Sequence, residues 1–154
     1  MPIIIDGYNY IGAVRDISLN EPDKEEKLIN KIAYFSSGYK KKITIVFDGQ
    51  KSSIYKEGAK YKRGHINIVI SRYPKTADET IKIMIDTSNH KRDLTIVSSD
   101  QDIYKYAKKS GAKAINCLEF ERQIRKGNIN KEKELNIKMP DHEIDFWLKA
   151  FNKK

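Results

Sequence analysis

Four aspartates of this 154-residue chain fall where an α/β fold performs chemistry. Asp6, Asp48 and Asp100 each close a short apolar run: Ile3-Ile4-Ile5-Asp6, Ile43-Thr44-Ile45-Val46-Phe47-Asp48 and Leu94-Thr95-Ile96-Val97-Ser98-Ser99-Asp100. Asp78 opens the helical stretch that follows Ile66-Asn67-Ile68-Val69-Ile70. β-Branched apolar runs of this length read as buried parallel strands, and in open α/β sheets functional groups collect at the carboxyl ends of the strands. Four carboxylates delivered to one sheet edge repel one another, and a divalent cation is the usual remedy. Carboxylate oxygens suit Mg²⁺ or Mn²⁺ rather than zinc. Such a site supports phosphodiester hydrolysis: water attacks phosphorus in line while the cation steadies the leaving oxygen, and no side-chain nucleophile is needed.

Each acid also has a structural use, and both uses stay open at this stage. Asp6-Gly7-Tyr8-Asn9 fits an ordinary Asp-Gly turn, with Asn9 as turn former, or as a hydrogen-bond partner of Asp6 or of a bound water. Asp78 and Glu79 suit the first turn of a helix, where Thr76-Ala77-Asp78-Glu79 has capping-box spacing, or act as ligands. Ser99 with Asp102 fits a second helix start, Asp102 being otherwise an auxiliary ligand beside Asp100. Asp48 reaches the group only if its strand neighbours the first. Other chemistries lack support: Ser98 and Ser99 have no nucleophile-elbow context, His65, His90 and His142 are scattered, and no phosphate-binding glycine motif is present. The single cysteine, Cys117, excludes a disulfide within the chain and a Cys-based zinc site, and reads as a small core residue.

The elements that must position these residues alternate. Strands are expected near 2–6, 42–48, 66–70, 94–98 and 113–116. Helices are expected near 22–36, from Thr76 onward, after Ser99, and from the last strand to about residue 126. This alternation predicts a mainly parallel sheet of about five strands with helices on both faces. Residues 49–65 read as a polar loop. Residues 1–126 then form one domain, and 127–154 a linker followed by an amphipathic helix capped by Asp141 and carrying Ile144, Trp147, Leu148 and Phe151. That helix packs on the domain or on a partner.

The loop and its surroundings carry Lys51, Tyr55, Lys56, Lys60, Tyr61, Lys62 and Arg63, with Arg72 and Lys75 just ahead of the Asp78 helix. Cations attract phosphates and tyrosine faces stack unpaired bases, a combination suited to single-stranded RNA. The net charge of +9, from 30 Lys and Arg against 21 Asp and Glu, agrees with a polyanionic partner. The N-terminus is charged too early for a signal peptide and no apolar run approaches ~18 residues, which predicts a soluble cytoplasmic protein without membrane spans.

Asp6-Gly7-Tyr8-Asn9-Tyr10-Ile11, Val46-Phe47-Asp48-Gly49, Thr76-Ala77-Asp78-Glu79-Thr80-Ile81, Ser98-Ser99-Asp100 and Ser110-Gly111-Ala112, in this order, resemble the NYN domain, specifically its YacP-like branch within the PIN-like nuclease superfamily. The resemblance covers roughly residues 2–125. It implies a PIN-like, Rossmann-like three-layer α/β/α sandwich, a Mg²⁺ or Mn²⁺ cofactor and endoribonuclease activity on single-stranded RNA. RNA is the expected partner, and the ribosome is a further candidate that the residues do not decide. It places Asp6, Asp78 and Asp100 at the acidic catalytic and metal positions, with Asn9 beside them; the residues themselves add Glu79 or Asp102 as auxiliary ligand and Asp48 and Ser99 around the site. One departure stands out: Lys82 occupies a position where that branch usually has an acid, and it either turns outward or weakens metal binding. The rival readings are a non-catalytic RNA-binding module and a PIN-type toxin.

Overall fold

A computed structural model of the chain describes residues 2–52 and 54–127. The helix expected after Asp141 lies outside the described residues. The sheet is built from β1 (Ile3–Asp6), β2 (Ile43–Phe47), β3 (Lys60–Arg63), β4 (Ile66–Ile70), β5 (Thr95–Val97) and β6 (Lys113–Ile115), in the order β3-β4-β2-β1-β5-β6. Every neighbouring pair is parallel except β3 with β4. The helices are α1 (Gly7–Ala13), α2 (Lys24–Phe35), α3 (Ala77–Thr87), α4 (Gln101–Lys109) and α5 (Cys117–Arg125), with a 3-10 turn at Lys91–Asp93.

Strand alternation splits the core into two layers. Ile3 and Ile5 of β1, and Ile43, Ile45 and Phe47 of β2, pack with Ile11 of α1, Leu28, Ile29 and Ile32 of α2, and Phe120 and Ile124 of α5. Ile4, Val46 and Ile96 face the other way, onto Ile81 and Ile85 of α3 and Ile103 and Ala107 of α4. Isoleucines such as Ile5, Ile29 and Ile81 are wholly buried, each contributing about 1.5–3 kcal/mol. The result is a three-layer α/β/α sandwich with α1, α2 and α5 on one side and α3 and α4 on the other.

Two sequence expectations change. The segment 49–65 is not all loop: Lys60–Arg63 pairs antiparallel with β4, giving six strands among the described residues rather than about five. All four residues of β3 are exposed, so no apolar signal marks it, and its lysines suit an unpaired sheet edge. The turn expected at Asp6-Gly7-Tyr8-Asn9 is the start of α1. A Cβ at Gly7 would lie 2.5 Å from the Phe47 ring, so glycine is what lets α1 begin directly against β2.

Candidate active site

The chain leaves β1 toward β2 and β4 on one side and returns, through α3, to β5 and β6 on the other. Between β1 and β5 the connections therefore diverge, and a crevice opens at the carboxyl ends of the strands. A cleft of about 780 Å³ lies there, lined by Asp6, Asn9, Asp48, Lys51, Asp78, Ser99 and Asp100 among others. Tyr8, Leu19 and Lys24 line it as well.

Each acid arrives by a different local device. Asp6 ends β1 and shares the sheet face of Ile4, so alternation turns it toward the α3 and α4 layer. Asp78 stands in the first turn of α3, which begins with a complete capping box: the Thr76 hydroxyl accepts from the Glu79 amide at 3.2 Å, and the Thr76 amide donates to Glu79 Oε1 at 3.3 Å. The cap thus engages Glu79 and leaves Asp78 to face the cleft; Glu79 is exposed and lies outside the cleft lining. Asp100, not Ser99, is the N-cap of α4, its Oδ1 accepting from the amides of Asp102 (2.8 Å) and Ile103 (3.2 Å). Its second oxygen takes no hydrogen bond from the described residues. Asp48 reaches the cleft because β2 does neighbour β1, and its Oδ1 accepts from the Gln50 amide at 2.9 Å.

Asp6 accepts a hydrogen bond from the Ser98 hydroxyl (3.2 Å), not from Asn9 as the sequence suggested. Asn9 instead clamps the turn after β5: its Oδ1 accepts from the Ser99 amide (2.7 Å) and from Cys117 Sγ (3.3 Å). Ser99 Oγ in turn accepts from the Cys117 amide at 3.1 Å, fixing the start of α5. In the sequence Ser98 stands out only within the Ser98-Ser99-Asp100 motif; the register explains its role here, since Ile4 pairs with Ile96 and Ile5 with Val97, so Ser98 follows opposite Asp6.

Electrostatically the cluster is strained. Burial, followed by the charges of Asp78 and Asp100, pushes the Asp6 carboxyl up to about 7 from 3.8, against the help of Ser98 and Lys51. Burial and Asp100 also push Asp78 upward, with Lys82 opposing. Among the described residues no basic side chain forms an ion pair with Asp6, Asp78 or Asp100. Carboxylate oxygens of Asp78, Asp100 and Asp102 can be chosen within 4.8 Å of one another. All the donors are oxygens and the cluster carries excess negative charge, a set that fits a hard divalent cation. Cys117, wholly buried at the start of α5, is pushed up to about 11 by burial and is an inert thiol.

The basic residues divide. Lys51 lines the cleft itself. Tyr55 stacks on Phe47 (5.8 Å, 25°) and meets Tyr61 at 5.3 Å, so it is half committed to the core. Arg63 forms a two-pronged pair with Glu26 of α2. Lys56, Lys60, Lys62, Arg72 and Lys75 are exposed, as is Tyr73 beside them. Among the described residues no helix is long and apolar enough to cross a membrane.

A three-layer α/β/α sandwich with an acidic cleft at its topological switch point is the class that fold and site define. Residues 3–150 match the YacP-like NYN domain, and the chain belongs to that nuclease-type family. The match runs past the residues, roughly 2–125, that carry the motif resemblance. Among solved structures the chain is similar to Rae1 (YacP) from Bacillus subtilis, at 21% identity over 99% of this chain and 93% of that one, with a TM-score of 0.67. It is likewise similar to the W164L mutant of that protein, at 20% identity over 94% and 90%, with a TM-score of 0.68. No curated protein matches the chain.

Proposed function

We propose that the chain is a metal-dependent endoribonuclease that hydrolyses phosphodiester bonds in single-stranded regions of RNA. The observation that carries this reading is the convergence of Asp6, Asp78 and Asp100 in one cleft with no ion pair to a basic side chain among the described residues, and with Asp6 raised to about 7 by burial and by its acidic neighbours. Such an arrangement costs stability unless a cation completes it. Asp6, Asp78 and Asp100 would hold Mg²⁺ or Mn²⁺, which when bound supplies the Lewis acidity that activates water and steadies the leaving oxygen. Asp48 and Lys51 line the same cleft; Lys51 offers the scissile phosphate a cation. Asn9 and Ser98 keep the β5–α4 turn, and hence Asp100, in register with Asp6. The exposed lysines of β3, with Arg72 and Lys75, lead the strand toward the cleft.

The test is cleavage of a 5′-labelled single-stranded RNA with Mn²⁺, with EDTA, and by Asp78→Asn. Cutting that needs Mn²⁺ and falls at least about 100-fold in the variant is expected, since a cation holding the transition state is worth several kcal/mol. Equal cutting by the variant, or cutting in EDTA, overturns the reading. RNA retention that is salt-sensitive and indifferent to Mn²⁺, with no cleavage, would instead identify a binding module.

A further inference from the structure

The cleft is larger than its acids require. Its lining includes Gly12 and Ala13 of α1, Leu19, and Lys24 at the start of α2, and its volume of about 780 Å³ is that of a pocket for an organic ligand. Three of these residues run against the local preferences of the chain. Gly12 stands in the last turn of α1, where glycine weakens a helix relative to alanine. It lacks the positive φ that favours glycine, and a Cβ there would meet only Leu19 Cδ1, at an ordinary 3.5 Å. Leu19 is 50% exposed. Lys24 puts a cation in the first turn of a helix, where the dipole opposes it, yet its side chain is only 16% exposed.

What these residues offer together is specific. Bare backbone at Gly12, with the methyl groups of Ala13 and Leu19, makes an apolar surface suited to a flat ring. Lys24 supplies donors and no acceptor. Its Nζ lies 3.7 Å from Glu25 Oε2, beyond hydrogen-bond reach, and 5.9 Å from the centroid of the Tyr8 ring. The buried Glu25 carboxylate thus offsets the charge of Lys24 without engaging its donors, which suits a neutral acceptor better than a phosphate. Lys51, with no ion pair among the described residues, is the cation left for phosphate. Resting on the endoribonuclease reading above, we infer that this part of the cleft is a nucleobase subsite: a base flanking the scissile phosphate lies on Gly12, Ala13 and Leu19, and Lys24 donates to its edge and selects guanine. Guanine presents O6 and N7 as adjacent acceptors, whereas adenine and cytosine carry an amino donor on the corresponding edge and uracil offers O4 alone.

The test reads binding, with EDTA present so that no strand is cut. The full chain, isotope-labelled at leucine and alanine methyl groups, is titrated with the pentanucleotides UUGUU, UUAUU, UUCUU and UUUUU and followed by NMR. UUGUU is expected to move the Leu19 and Ala13 methyl signals and to bind about 10-fold tighter than UUAUU or UUCUU, the discrimination of a good base-edge contact. Lys24→Met is expected to abolish that preference. Gly12→Ala separates a ligand role from a structural one: it should raise Tm, as alanine does in a helix, and still weaken UUGUU several-fold, because its methyl group occupies the ring's place. Equal affinity of the unmodified chain for all the strands, an unmoved Leu19 signal, or a guanine preference that survives Lys24→Met overturns the inference. Guanine-selective binding without Mn²⁺-dependent cutting would leave the base subsite and remove the nuclease; cutting with no base preference would do the reverse.

Discussion

Two clusters of carboxylates belong to opposite layers of this molecule, and they are built on different terms. On the α1, α2 and α5 side, Glu121 and Asp16 are almost enclosed by donors. Lys31 Nζ reaches both at 2.6 Å, the Arg125 guanidinium reaches both at 2.9 Å, and the Tyr10 hydroxyl donates to Glu121 at 2.6 Å. Lys31 is only 8% exposed and Arg125 11%, so these charges are satisfied within the fold. At the carboxyl ends of β1 and β5, Asp6 accepts from one hydroxyl and Asp100 from two amides, and Asp6 and Asp78 are pushed up by burial and by their acidic neighbours. What separates a structural cluster from a functional one is whether the chain pairs its acids with cations, and among the described residues the acids Asp6, Asp78 and Asp100 have no such pair.

The comparison predicts opposite signs for removing one charge. In the satisfied network, Lys31→Met leaves Glu121 and Asp16 to share Arg125 and should destabilise the fold by about 3–5 kcal/mol, read from denaturant unfolding. A loss below about 1 kcal/mol would mean the network behaves like an exposed ion pair, and the contrast would collapse.

In the unsatisfied cluster, Asp6→Asn should stabilise the cation-free protein. Folding raises the Asp6 pKa from 3.8 to about 7, so the folded state holds its proton more tightly than the unfolded one. Below pH 4 both states are protonated and the charge costs nothing. As pH rises from 4 to 7 the unfolded state ionises first and stability is lost, by roughly 4 kcal/mol at most for a shift of this size. The gain from Asp6→Asn is therefore expected to grow across that window, level off above pH 7, and be offset in the unmodified chain by adding Mn²⁺. A pH-independent gain, or a loss at pH 8, would show that Asp6 is as well satisfied as Glu121.

Much of this layout was readable in the residues, and the exceptions have physical causes. The apolar runs at Ile3–Ile5, Ile43–Phe47 and Ile66–Ile70 announce strands because both faces are buried, and Thr76 with Glu79 announces α3 because a capping box is a local device. β3 was hidden because Lys60-Tyr61-Lys62-Arg63 pairs through its backbone and buries nothing. Its one signal was Gly64, at φ +60, in a two-residue connection to Ile66 that suits a tight hairpin. α1 was hidden because Gly7 and Asn9 favour turns locally, while the reasons for each are distant: Phe47 for Gly7, Ser99 and Cys117 for Asn9. The Lys82–Asp102 pair joins residues 20 apart on separate helices, and no spacing rule reveals it.

The same contrast between satisfied and unsatisfied charge orders the basic residues, with the smallest expected effects. Along β3, Lys60 pairs across with Val69 and Lys62 with Asn67, whereas Tyr61 lies opposite Ile68 and Arg63 opposite Ile66. Ile66 and Ile68 belong to the α2 layer, and Val69 packs against the α3 layer. Lys60 and Lys62 thus share the sheet face that carries Asp6, while Arg63 faces α2 and is spent on Glu26. If this face guides RNA, Lys60→Ala/Lys62→Ala should lower the slope of log affinity against log salt by about one or two, one phosphate contact per lysine. Arg63→Ala should leave that slope unchanged and cost only the modest stability of an exposed pair. Filter binding to a single-stranded RNA across a salt series decides it. An Arg63→Ala effect as large as that of the two lysines would put the RNA path on the α2 face, away from the cleft.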